Sequence, residues 1–244
     1  DALSFQEVAS RAKKADVILF VSGINANYEG EGSDVGADGY VGFASGDRTT
    51  LQLPPVQIEL MKELKKTGRP LILVNMSGSV MSFDWESRNV DAILQCWYGG
   101  QSAGDAIIDI LFGEYNPSGR MPLTTYMNDE DLPPFEDYSM QNRTYRYFKG
   151  DVRYPFGYGL SYTTFSFSEC SVDTTLSTGK KILYRVNVTN TGKRAGDEVV
   201  QLYVSHQANK NKRQSICALK GFKRVSLQPG ETKEVTFELS PKEL

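Results

Sequence analysis

The sequence carries a single histidine, His206, at a predicted strand end far from the acidic residues discussed below. One imidazole removes most Ser-His-Asp and Cys-His nucleophile schemes, and any metal centre that needs several histidines. The three cysteines, Cys96, Cys170 and Cys217, are an odd set without CxxC spacing, which argues against a disulfide framework and against zinc. Cys96, between Gln95 and Trp97 in an apolar stretch, reads as a core residue. An excess of positive charge is missing too. Twenty-seven Lys and Arg against 30 Asp and Glu leave a net charge of -3 and no basic stripe, so nucleic acid is excluded as a partner. Apolar runs stop after seven or eight residues, too short to cross a bilayer, so a membrane is not a partner either. Asp1-Ala2-Leu3-Ser4 is not a charged and hydrophobic export signal, and the expectation is a cytosolic chain or one whose leader was removed. No cofactor is implied. Carboxylates are left as the expected chemical agents.

What is present is enough for two ordinary domains: 244 residues, 40% of them apolar. The first half alternates helix and strand. Ser4-Phe5-Gln6-Glu7 has the form of a capping box, and Phe5, Val8, Ala9 and Ala12 continue it at helical spacing to Lys14. Asp16 to Gly23 is nearly continuous apolar sequence, the pattern of a parallel strand buried on both faces. Pro54-Pro55 opens a helix with Val56, Leu60 and Leu64 as its buried stripe and Gly68 as its cap. Pro70 to Met76 is a second buried strand ending in the flexible turn Ser77-Gly78-Ser79. Ser82 to Arg88 reads as a short helix, Val90 to Trp97 as a third strand, and Ala103 to Phe112 as a helix capped by Gly113. The glycine-rich Gly99-Gly100-Gln101-Ser102 lacks the Lys-Ser/Thr ending of a phosphate loop and reads as close packing of helix on strand. Such alternation predicts right-handed crossovers on a mainly parallel sheet.

From Asn116 prolines break regular structure, and an aromatic-rich tract runs from Phe135 to Tyr162. Beyond Thr163 the period becomes two, with strands at 164–168, 182–188, 198–204 and 234–239 separated by turns such as Asn190-Thr191-Gly192 and Pro229-Gly230. That pattern predicts an all-β sandwich.

The first strand feeds a loop, Ile24 to Thr50, rich in carboxylates: Glu29, Glu31, Asp34, Asp38 and Asp47. In open α/β sheets, ligands bind outside the carboxyl ends of the strands, and this loop leaves a strand there. Calcium is the first rival for such a loop. Glu29, Glu31, Asp34 and Asp38 do not match the Asp-x-Asp-x-Asp-Gly pattern with a distal Glu, so no metal site is expected.

Several stretches together resemble glycoside hydrolase family 3. They are Gly23-Ile24-Asn25 with Tyr28-Glu29-Gly30-Glu31, Gly46-Asp47-Arg48-Thr49, Leu53-Pro54, Gln57, Trp97 to Gln101, Leu111 to Pro122, Arg143 to Phe148 and Pro155 to Tyr162. The likeness spans essentially the whole chain. The Glu-x-Glu loop ending in Asp-Arg and the tract Glu136-Asp137-Tyr138 look most like the β-xylosidase branch, with β-glucosidases next.

The resemblance implies a retaining exo-glycosidase of three parts: a TIM barrel, an α/β sandwich and a fibronectin-III-like domain. Retaining chemistry uses two carboxyl groups about 5 Å apart, one as nucleophile and one as acid/base. In the family the nucleophile is an aspartate of the barrel. The acid/base falls here on Glu29, with Glu31 as the alternative because the Glu-x-Glu pair leaves the register open. The expected architecture is a partial, mainly parallel α/β sandwich over 1–125, an aromatic-rich linker over 126–162, and a truncated, all-β fibronectin-III-like sandwich over 163–244. Expected partners are an oligosaccharide substrate and the missing N-terminal barrel of the same polypeptide. Uncovered sheet edges predict self-association into a homo-oligomer. The fragment alone is expected to be inactive, and the enzyme to be periplasmic or secreted. A β-glucosidase or α-L-arabinofuranosidase of the same family, or a non-catalytic carbohydrate-binding or scaffolding module, are the competing expectations. The long segment Ser33 to Ser45 before Asp47-Arg48 departs from the family pattern and is expected to reshape the pocket.

Overall fold

A computed structural model describes residues 3–29, 40–44, 47–173, 181–205 and 215–242. They form two compact units. The α/β unit is drawn from Asp1–Ile107, Thr125–Leu132 and Asp151–Arg153, and the β unit from Ile108–Thr124, Pro133–Gly150 and Tyr154–Leu244. Glu31, Asp34, Asp38 and His206 lie outside the described residues.

In the α/β unit, α1 (Phe5–Ala12) starts on the expected capping box: Ser4 Oγ accepts from the Glu7 amide, and Glu7 Oε2 accepts from the Ser4 amide at 2.8 Å. The order continues β1 (Ile18–Ser22), β2 (Phe43–Ala44), β3 (Asp47–Arg48), α2 (Pro55–Lys65), β4 (Leu71–Asn75), α3 (Glu86–Asn89), β5 (Ala92–Gln95) and α4 (Ala103–Phe112). Strands β1, β4 and β5 make a parallel sheet in the order β1-β4-β5, with Ser22 opposite Asn75 and Asn75 opposite Gln95. Central β4 is buried almost throughout.

Three expectations need correction. β1 is not buried on both faces: Leu19 and Val21 are exposed, Val21 at 62%. Among the described residues only one of its faces is covered, with Ile18, Phe20 and Ser22 turned inward, so alternation reappears. The buried residues of α2 are Met61 and Leu64, while Val56 is exposed, because the stripe is rotated from the predicted one. The short helix begins at Glu86 rather than Ser82, since Phe83 adopts φ 50°, outside the helical region.

Glu86 is fully buried, and neither carboxyl oxygen has a hydrogen-bond partner among the described residues. Burial raises its pKa and Asp84 adds to the rise, while the polar pull of its own backbone amide, then Lys62 and Arg153, oppose it. A carboxyl raised in the folded state contributes stability that is present below its unfolded pKa and lost as pH rises through the folded value. In urea unfolding from pH 4 to 8, Glu86→Gln is expected to become the more stable form, by on the order of 1 kcal/mol or more at the upper end. A gap that does not change with pH contradicts this.

After β6 (Thr125–Tyr126), the chain continues through α5 (Thr144–Tyr147), β7 (Val152–Tyr154), β8 (Phe165–Phe167), β9 (Ser171–Val172), β10 (Ile182–Asn190), β11 (Gly196–Val204), β12 (Ala218–Leu227) and β13 (Thr232–Leu239). β10 is the centre of one antiparallel sheet, flanked by β13 and β8, with β9 also on it, and β11 pairs with β12 in another. Inward residues of both, Val188, Val200, Leu227, Val235 and Phe237, form one apolar core. Strand β12 has no counterpart among the expected strands. Its alternation is interrupted at Gly221, where a Cβ would lie 2.9 Å from the Phe237 ring.

Candidate functional site

The carboxyl end of β1 is fixed by a glycine. Gly23 has φ 135°, and a Cβ there would lie 2.1 Å from the Met76 carbonyl oxygen. Gln57, from α2, grips this residue on both sides: its Oε1 accepts from the Gly23 amide at 3.3 Å and its Nε2 donates to the Gly23 carbonyl at 2.7 Å. Next, Ile24 is buried, and its carbonyl accepts from the Tyr98 hydroxyl at 2.8 Å. Gly78 makes room for that tyrosine, because a Cβ at 78 would lie 2.4 Å from its ring.

The loop then makes a tight turn. Asn25 Oδ1 accepts from the Asn27 amide, and the Asn25 carbonyl accepts from the amides of Tyr28 and Glu29 at 2.9 and 3.0 Å. Tyr28 packs edge-on to Tyr40, with ring centroids 5.4 Å apart, and against Phe43. Glu29 is thereby carried to the carboxyl end of the sheet, its side chain 28% exposed.

Two residues receive it. Ser79 Oγ donates to Glu29 Oε1 at 2.7 Å, and Arg48 Nη1 donates to Ser79 Oγ, also at 2.7 Å. Arg48 lies 3.9 Å from Glu29 Oε1, too far for a hydrogen bond. Its guanidinium is spent on backbone carbonyls instead, Nη1 on Val80 and Nη2 on Thr50, each at 2.9 Å. Asp129 ties down that segment, accepting from Thr50 Oγ1 at 2.7 Å and from the Leu51 amide at 2.6 Å. Burial lowers the Arg48 pKa, and Glu29, Asp129 and Tyr98 act in the opposite direction. A guanidinium stays protonated under such a shift, and Arg48 remains a cation.

The turn expected to be flexible is therefore pinned. Ser77 is buried, Asn75 Nδ2 donates to its Oγ at 2.6 Å, and that hydroxyl donates to the Ser79 carbonyl at 3.2 Å. In the sequence Arg48 belongs to a motif and Ser79 follows a strand, and nothing local joins either to Glu29. Asp129 was missed altogether. Among the described residues no group of His, Cys, Asp or Glu could hold a metal ion. No helix among them is long and apolar enough to cross a membrane.

The signature of the glycosyl hydrolase family 3 C-terminal domain matches residues 2–162, and that of the fibronectin type III-like domain matches residues 198–244. This chain belongs to glycosyl hydrolase family 3. It is 41% identical to a xylan 1,4-β-xylosidase of Xylanibacter ruminicola over 99% of its length and 27% of that protein. A periplasmic β-glucosidase of Salmonella typhimurium is 37% identical over 96% of this chain and 30% of that protein. Among solved structures, the family 3 β-glucosidase of Bifidobacterium adolescentis superposes with a TM-score of 0.84 at 32% identity, covering 98% of this chain and 35% of that one. The chain thus spans about a third or less of these relatives.

Several family motifs turn out to be fasteners. In Leu111 to Pro122, Asn116 Nδ2 donates to the Ala195 carbonyl at 2.9 Å, and its Oδ1 accepts from Ser161 Oγ and the Tyr162 amide. Arg143 Nη2 donates to the carbonyls of Pro134 and Asp137. Tyr145 stacks on Phe156 at 4.2 Å, and its hydroxyl accepts from the Leu219 amide at the start of β12. These contacts hold the β unit together.

Proposed function

We propose that this chain is the C-terminal portion of a retaining exo-β-glycosidase of β-xylosidase type, to which it supplies Glu29 as the general acid/base. The observation that carries the reading is the carboxylate itself. Glu29 is delivered to the carboxyl end of a parallel sheet with one oxygen anchored by Ser79 and the other without a partner among the described residues. The names of the relatives support β-xyloside or β-glucoside chemistry. Their greater length supports a nucleophilic aspartate carried elsewhere in the same polypeptide, on the barrel that the family pattern implies. In the first step the nucleophile attacks the anomeric carbon while Glu29 protonates the departing oxygen; in the second, Glu29 takes a proton from the attacking water. The substrate is the non-reducing end of an oligosaccharide, and the enzyme works in the periplasm or outside the cell.

Kinetics of the full-length gene product on aryl β-xyloside, β-glucoside and α-L-arabinofuranoside test the proposal. The xyloside is expected to be preferred by about tenfold or more in kcat/KM, with β-xylose as the first anomer seen by NMR and no turnover by the present chain alone. First-formed α-xylose contradicts the retaining mechanism, and a glucoside preference contradicts the xylosidase assignment.

A further inference from the structure

Ser79 stands between two groups that fix the direction of its only proton. A guanidinium donates hydrogen bonds and accepts none. With Arg48 Nη1 donating to Ser79 Oγ at 2.7 Å, the hydroxyl hydrogen is turned away from Arg48, and the acceptor it finds is Glu29 Oε1, also at 2.7 Å. Arg48 has little freedom to abandon this geometry. Its side chain is 11% exposed and is held by the Val80 and Thr50 carbonyls, the latter segment being tethered in turn by Asp129. The hydrogen-bond chain therefore has one polarity, from Arg48 through Ser79 to Glu29.

We propose that Ser79, locked by Arg48, is the positioning residue of Glu29: it keeps Oε1 a fixed acceptor and leaves Oε2 as the oxygen that delivers and recovers the proton. This rests on Glu29 being the acid/base. When the glycosidic bond breaks and the bond from nucleophile to anomeric carbon forms, the proton on Oε2 passes to the leaving oxygen. When water attacks and the nucleophile departs, Oε2 takes the proton back. The Ser79 proton stays where it is throughout. Ser79 touches neither substrate nor reacting atoms; it decides which oxygen of Glu29 does.

A positioning role has a signature that loss of packing does not share, because protonation matters only for leaving groups that need it. In the full-length gene product, Ser79→Val and Ser79→Thr add nearly the same bulk, and only the threonine retains the hydroxyl. Ser79→Val is expected to lose about 10- to 100-fold in kcat/KM on xylobiose and less than about threefold on 2,4-dinitrophenyl β-xyloside. Ser79→Thr should stay within about threefold of the parent on both substrates. Should Ser79→Val fold poorly, Ser79→Ala adds no bulk and carries the same expectation. Glu29→Gln is measured beside them. If Glu29→Gln shows the selective loss while the serine variants lose nothing, or lose equally on every leaving group, the inference about Ser79 is overturned and the acid/base assignment stands. If Glu29→Gln itself shows no selectivity, the assignment falls and the inference falls with it.

Discussion

Glu29→Gln in the full-length enzyme is expected to lower xylobiose hydrolysis by about 10²- to 10⁴-fold, the range that a positioned proton donor contributes. The amide keeps the shape of the side chain and can still accept from Ser79 Oγ, so the loss reports chemistry rather than packing. A xyloside with a dinitrophenolate leaving group needs no proton to depart, and its first step should survive. Its second step should not, because no base remains to activate water, and the glycosyl-enzyme then accumulates. The expected pattern is thus a depressed kcat with a lower KM on the activated substrate, and a collapse on the natural one. An equal, small loss on both substrates contradicts it and passes the role to Glu31 or to a residue outside this chain.

The second large effect is on the fold beneath the site. Gly23→Ala would place a methyl 2.1 Å from the Met76 carbonyl oxygen at φ 135°. The obstacle is backbone, at the crossing where the Met76 amide donates to the Ser22 carbonyl at 2.7 Å, so relief requires strands β1 and β4 to part. A cost of about 4 kcal/mol or more is expected in urea unfolding, with the Gln57 clamp broken. Gly68→Ala is the control. Gly68 also has positive φ, 73°, but a Cβ there meets nothing within 4 Å, and only the conformational cost of about 1–2 kcal/mol remains. Similar losses for the two variants would contradict the steric account.

Much of this was legible from local pattern. The capping box of α1, the proline start of α2 and the alternation of β10 and β13 are written in neighbouring residues, and each formed as expected. What escaped was long-range. Ser79 and Arg48 lie 31 residues apart, and each is an ordinary loop residue until β1 and β4 bring their carboxyl ends together. Exposure of Leu19 and Val21 depends on one face of β1 having no covering layer among the described residues, which an apolar run does not reveal. Burial of Glu86 ran against its charge, and β12 was hidden because Gly221 interrupts the pattern for the sake of Phe237. The role of Glu29 was suggested by its motif and its place after a strand, whereas the means of holding it came from the fold.

The most direct test of Glu29 as acid/base is the product that Glu29→Gln makes from 2,4-dinitrophenyl β-xyloside in sodium azide. Azide needs no base to attack, and removal of the carboxylate opens its path to the glycosyl-enzyme. The account predicts restored turnover and a xylosyl azide of β configuration in the NMR spectrum, formed in no comparable amount by the parent enzyme. Unchanged rates with xylose as the sole product, or azide capture by Glu31→Gln instead, would contradict it.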